Sequence, residues 1–274
     1  MIRNMAFEWL KLTRRWMPRV LVVMVAGLTT VAFWGQATRS ADRANLLMPR
    51  GWLVALILCS FFAPFFWPVL GGSWAGNEYG WGTMRTILTR RPYRIEQVIS
   101  ALLVLFLGLA VALLVLLLVA SGAGLVIAVL TNNHVFTSGV LNGDFVALLV
   151  KGFLIAWYVS AFYLFLAYAT ATLFRSAAVG IGFGIGATFA QFILFRIFDG
   201  LGGVWKTIAE HFPVQYANNL ITEVVGGGLV AGSNIGRVDP GSPSVSDSLV
   251  WLTLYAAVLM AITLYAVRVR DVTA

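Results

Sequence analysis

Six stretches of the chain stay predominantly apolar over 19–37, 52–73, 97–130, 147–173, 177–198 and 248–267. A helix that crosses a bilayer needs ~20 such residues, within a range of ~17–25. Each stretch therefore predicts a membrane-spanning helix, and together they predict an all-α integral membrane protein running from 1 to 274 as one domain. The third stretch is too long for one simple crossing. It must tilt or continue past the bilayer, and Ser121-Gly122-Ala123-Gly124 is a candidate break within it. The first opens near Pro18, a residue suited to the first turn of a helix.

Between these stretches lie three polar segments with structure of their own. Over 1–17, Met5, Trp9, Leu12 and Trp16 recur at helical spacing as one apolar stripe, with Arg3, Glu8, Lys11, Arg14 and Arg15 on the other side. This pattern predicts an interfacial helix, tryptophans toward lipid and charges toward water. Over 74–95, Thr83 is a suitable helix cap and Pro92 a stop, and between them Met84, Ile87 and Leu88 form an apolar face. That predicts a short amphipathic helix ready to dock on lipid headgroups or on a soluble partner. Over 199–247 lie nine glycines and short apolar patches divided by Pro213, each too short to span. The first part reads as paired short helices that enter the membrane and return, and 232–247 as a polar loop. Such backbone is tolerated only where protein or water covers it.

Composition agrees. Charged residues make up 11% and hydrophobic residues 60% of the 274, with a mean hydropathy of +0.87. A soluble domain carries ~25% charge, so lipid must be the solvent for most of this surface. The net charge of +8 is spread along the flanks of apolar segments. It forms no basic face on a soluble domain, which argues against a nucleic-acid partner. With six crossings and both termini in the cytoplasm, inside segments hold twelve of nineteen basic and four of eleven acidic side chains, a net of +8. Outside segments hold seven of each. That asymmetry is the positive-inside pattern and points to membrane lipid as a contact. The basic stretch before the first apolar run contains Glu8, and no small-x-small site follows it, so that run reads as a retained helix.

Candidate chemistry is sparse. The single Cys59 and the distant His134 and His211 form no metal-ligand set. Gly200 to Thr207 resembles a phosphate-binding loop, but Trp205 stands where its second glycine is needed. Zinc-protease and nucleophile-elbow motifs are absent from the sequence. Glu96, Lys151, Arg175, Arg196 and Asp199 all fall near helix ends, where long side chains reach the interface, so no mid-membrane relay is predicted. Gly180, Gly182, Gly184 and Gly186 form overlapping GxxxG patterns that allow close helix packing, within one chain or between two. Phe61, Phe62, Phe65 and Phe66 surround Pro64 and are candidates for an apolar ligand path, or simply for lipid or core contacts.

The segment Glu78-Tyr79-Gly80-Trp81-Gly82-Thr83-Met84-Arg85-Thr86-Ile87-Leu88, followed by Arg91-Pro92-Tyr93-Arg94, resembles the loop after the second helix of ABC-2 type exporter permeases, with a type V exporter-like fold. Glu78, Gly82, Thr83, Ile87, Leu88, Pro92 and Arg94 fill that family's pattern, and Arg90-Arg91 adds an extra basic pair. The resemblance implies a coupling helix, with Met84, Arg85 and Arg91 among its contacts, that docks in a separate cytoplasmic ATPase. It also implies an elbow helix over 1–17 and a re-entrant pair before the last span. Two permease units, identical or homologous, and two ATPase copies would then form an exporter of the plasma membrane. The ATPase would hold ATP and Mg, and this chain no cofactor. Cargo would be amphipathic, a lipid, drug or peptide. A secondary carrier, which would need midplane charges or paired broken helices, and a membrane scaffold that docks a soluble partner are the competing readings.

Overall fold

In the computed structural model the described residues are 2–38, 45–80, 94–131, 141–226 and 243–269. Their regular elements are nine helices: α1 Ile2–Arg14, α2 Trp16–Ala37, α3 Arg50–Gly80, α4 Arg94–Leu130, α5 Gly143–Phe174, α6 Ala177–Leu201, α7 Gly203–Glu210, α8 Pro213–Gly226 and α9 Val245–Val269. Six of them, α2 to α6 and α9, are long and apolar enough to cross a membrane. The expected all-α membrane architecture is therefore present, with each span at or near the stretch that the apolar pattern marked.

Three boundaries differ from the sequence reading. The segment 1–17 is not one helix, because backbone at Arg15 is extended and Trp16 begins α2. Pro18 occupies the third position of α2, where its missing N–H breaks no intrahelical bond. The segment 74–95 is not all connection, since 74–80 continue α3 and Arg94 already belongs to α4. The segment 199–247 overlaps the end of α6 and the start of α9. The predicted break at 121–124 does not occur. α4 runs unbroken for 37 residues, about 55 Å at helical rise. Ser121 Oγ donates to the Leu117 carbonyl at 2.9 Å and accepts from Trp52 Nε1 at 2.8 Å. Gly124 serves a close approach instead, because a Cβ there would lie 2.7 Å from Met48 Cε.

α3 is the central helix, packed chiefly against α5 and α6 and also touching α2, α4 and α8. Glycines permit that density. A Cβ at Gly72 would stand 2.7 Å from the Ile181 nitrogen, and one at Gly71 or Gly76 would collide with backbone of Leu164 or Ala177. The GxxxG stripe of α6 divides by face. Gly180 and Gly184 are buried against Ala167, Ala171 and Pro68, whereas Gly182 and Gly186 meet nothing within 4 Å. α2 hangs on this core by a stripe of Leu21, Val25, Thr29 and Phe33, with Met17, Val22 and Ala26 packed at its edge, while Val20, Val23, Met24, Leu28 and Val31 are exposed as lipid-facing residues are.

α6 passes into α7 through Gly202 and Gly203, both at positive φ, +67° and +57°. The look-alike of a phosphate loop is thus a helix-to-helix turn, and its Lys206 pairs with Asp199 at 3.5 Å. α7 and α8 are short helices of 8 and 14 residues, and α7 packs back on α6 rather than on α8. α8 buries Val214, Tyr216, Leu220 and Val225 against α9, α5 and α3. Gln191 Oε1 caps its first turn at Val214 N, 3.1 Å away. His211 closes α7, its Nδ1 donating to the Thr207 carbonyl at 2.8 Å and its own carbonyl accepting from Tyr255 at 2.8 Å.

The two faces of the α6 stripe differ in a measurable way. Gly184→Leu is expected to lower stability by ~1–3 kcal/mol or more, because overpacking against Pro68 and Ala167 has no outlet. Gly182→Leu should change it little. Thermal unfolding of both variants in mild detergent reads the contrast.

Candidate functional site

The chain brings α1, the last two turns of α3 and the first turn of α4 to one end of the bundle, where both described termini also lie. α1 packs along α4. Its inward side chains are Asn4, Glu8 and Lys11, at steps of four and three, and Arg15 in the extended link to α2 joins them. This polar face points into protein, and Glu8 is 1% exposed. The sequence reading placed Glu8 and Lys11 toward water. The structure turns those two inward, while Arg3 and Arg14 stay exposed beside Ile2, Phe7, Trp9 and Leu10, an outward face for which lipid and its interface are the better solvent.

The Glu8 carboxylate takes three donors. Trp74 Nε1 donates to Oε2 at 2.9 Å and Lys11 Nζ to the same oxygen at 3.1 Å, while Gln97 Nε2 donates to Oε1 at 2.8 Å. Lys11 also reaches Glu78 Oε1 at 2.5 Å, and Arg15 lies 3.4 Å from that atom. Both cations sit over the Trp74 ring, 4.5 Å and 5.0 Å from its centroid. Two carboxylates and two cations thus balance around one indole. Removing an isolated carboxylate from water costs several kcal/mol, so the donors are a condition for α1 to lie where it does. A residual cavity of about 10 Å³ beside them is lined by Tyr168, Thr172 and the cluster itself, room for about one water.

The predicted site residues separate on this frame. Glu78 is in the last turn of α3, and its side chain is turned toward α1. Gly82, Thr83, Met84, Arg85, Ile87, Leu88 and Arg91 lie outside the described residues, between the end of α3 and the start of α4. Of the interfacial stripe, Trp9 and Trp16 are exposed, while Met5 and Leu12 are half-buried and Leu12 joins the core. Phe61 is exposed and leads to Phe65, 6.3 Å away, and then to Phe189 of α6 at 5.3 Å. Phe62 and Phe66 turn toward the core, so the four rings do not share one face. Trp74 and Gln97 were missed by sequence reasoning. A signal existed, because Glu8 sits in a mostly apolar helix beside lipid and must find donors.

Fold and cluster define a multi-pass α-helical membrane protein whose most structured polar site ties its first helix to the ends of its second and third spans. Residues 5–191 match a family profile described as ABC-2 family transporter protein. That is more than half of the chain, and the chain belongs to this transporter family. No curated protein matches it.

The Lys11–Glu78 contact should be energetically coupled. Lys11→Met and Glu78→Gln are each expected to destabilise, and the double variant by less than their sum, with a coupling of ~0.5–3 kcal/mol. Unfolding of the four proteins in mixed detergent micelles measures it.

Proposed function

We propose that this chain is the permease subunit of an ATP-driven exporter. Two copies form the translocation path, and a separate ATPase binds the end at which α1, Gly80 and Arg94 meet. That end faces the cytoplasm of the plasma membrane, in keeping with its excess of basic residues. The ATPase holds ATP and Mg, and this chain supplies no hydrolytic group.

One observation carries the reading. The segment 81–93 is bracketed by two residues of the same cluster, Glu78 just before it and Gln97 just after it. Both converge on α1, Glu78 through Lys11 and Arg15, and Gln97 through Glu8. A force applied to 81–93 by a partner therefore moves α1, α3 and α4 together rather than bending one of them. α3 is also the helix most tightly held by α5 and α6, so the movement reaches the whole bundle. A ligand can shift such an equilibrium only by its differential contacts with two states, and the ATPase would make those contacts through Thr83 to Leu88. The outward edge formed by Phe61, Phe65 and Phe189, beside the open Gly182 and Gly186, is the wall offered to amphipathic cargo and to the second copy. The short helices α7 and α8 enter the outer leaflet.

Pull-down of the tagged protein in mild detergent tests this. Native protein should retain an ABC ATPase with measurable ATP hydrolysis, and a Leu88→Asp variant of unchanged thermal stability should lose at least about tenfold of it, since a charge placed in an apolar docking contact goes unpaired. Equal retention by both would place the docking element elsewhere. Absence of any ATPase, even after crosslinking in membranes, would remove the reading.

A further inference from the structure

On the lateral surface of the bundle, α4, α5 and α9 leave a groove of about 310 Å³. Leu102, Leu103 and Phe106 of α4, Phe162 and Phe165 of α5 and Met260 of α9 form much of its wall, and Ala161 and Ala256 give it width. Its wall is firm. Phe106 stacks on Trp157 with centroids 4.1 Å apart, and Trp157 Nε1 donates to the Phe106 carbonyl at 2.7 Å. The hydroxyl on its lining, Tyr158, is engaged with Thr253 at 2.8 Å. An occupant at this depth therefore needs no polar group. The volume suits on the order of ten methylene groups, if each takes about the ~30 Å³ of a liquid water.

We propose that this groove holds one acyl chain of an anionic phospholipid from the leaflet at the basic end, with its phosphate at Arg268. Three observations select that occupant. First, the groove opens between three helices that are each long and apolar enough to span the membrane, and exposed Leu103 and Leu107 stand along its α4 edge, so what reaches it laterally is hydrocarbon. Second, the groove lies in the half of the bundle nearer the basic end. From Met260 to Arg268 the helix rises about 12 Å, which puts the arginine at headgroup height above a chain seated beside Met260. Third, the charge is complementary. Arg268 is exposed in the last turn of α9. A neutral chain would use the groove but not the arginine. The site is separate from the Glu8 cluster and does not depend on the exporter reading.

The full-length protein reconstituted in vesicles provides the test. The probe is phosphatidylglycerol carrying a photoactivatable acyl chain, compared with phosphatidylcholine carrying the same chain. Labelled peptides should contain Phe162 or Met260, with phosphatidylglycerol favoured by about fivefold, as expected for one interfacial arginine. Arg268→Gln should erase that preference while leaving the fold intact, and Ala256→Phe should reduce labelling with either lipid. A matched Val250→Phe change on the lipid-facing side of α9 should do neither. Equal labelling by both lipids, or a preference that survives Arg268→Gln, would overturn the proposal, as would label found on the exposed faces of α2 or α6 in place of the groove.

Discussion

A carboxylate removed from water sets the arrangement of the basic end. Glu8 can be buried only if donors surround it, and those donors come from three places in the chain, Lys11 beside it, Trp74 on α3 and Gln97 on α4. Losing one donor leaves a charge short of a partner, whereas losing all contacts would require α1 to leave the bundle. α1 is thus held by its polar face, and the face it leaves exposed is largely apolar with Arg3 and Arg14 at its ends, unlike an amphipathic helix on a soluble protein. The geometry follows from the solvent, since lipid accepts Phe7, Trp9 and Leu10 at no cost and would accept Glu8 only at several kcal/mol.

That cluster matters because of what it is joined to. α3 passes from it into the middle of the bundle, where Gly71, Gly72 and Gly76 let it touch the backbones of α5 and α6. In a membrane, apolar packing surfaces have little advantage over lipid, and close backbone approach supplies the association instead. The glycines and the carboxylate play complementary parts. The first make α3 inseparable from the core, and the second makes α1 and α4 inseparable from α3. The far end has a different character, since α7 and α8 are held by side-chain caps from Gln191 and Tyr255.

The six spans were legible because a bilayer imposes one length and one polarity on them, and few other constraints compete. The short helices on either side of Pro213 were legible for the opposite reason, each being too short to cross. The direction of the α1 faces was not legible. A helix with apolar and charged sides presents the same periodicity whether its charges face water or a buried partner, and the deciding residues, Trp74 and Gln97, are 66 and 89 positions away from Glu8. The glycines of 121–124 misled for a related reason. Glycine marks either a break or a close approach, and Met48, which settles the matter, is distant in sequence. The extent of α3 was underestimated because residues 74–80 are polar enough to read as loop, and they remain helical through contacts with α1 and α6 that no local window contains.

The central claim is that the segment between α3 and α4 is a docking element whose contacts move the cluster behind it. Site-specific photocrosslinking in native membranes tests it most directly, with a photoreactive residue placed at Thr86 in an otherwise unchanged chain. The account predicts a covalent adduct with an ABC ATPase, whose yield changes when ATP is added. Adducts confined to lipid, or an ATPase adduct equally strong from Thr30 on the outward side of α2, would contradict it.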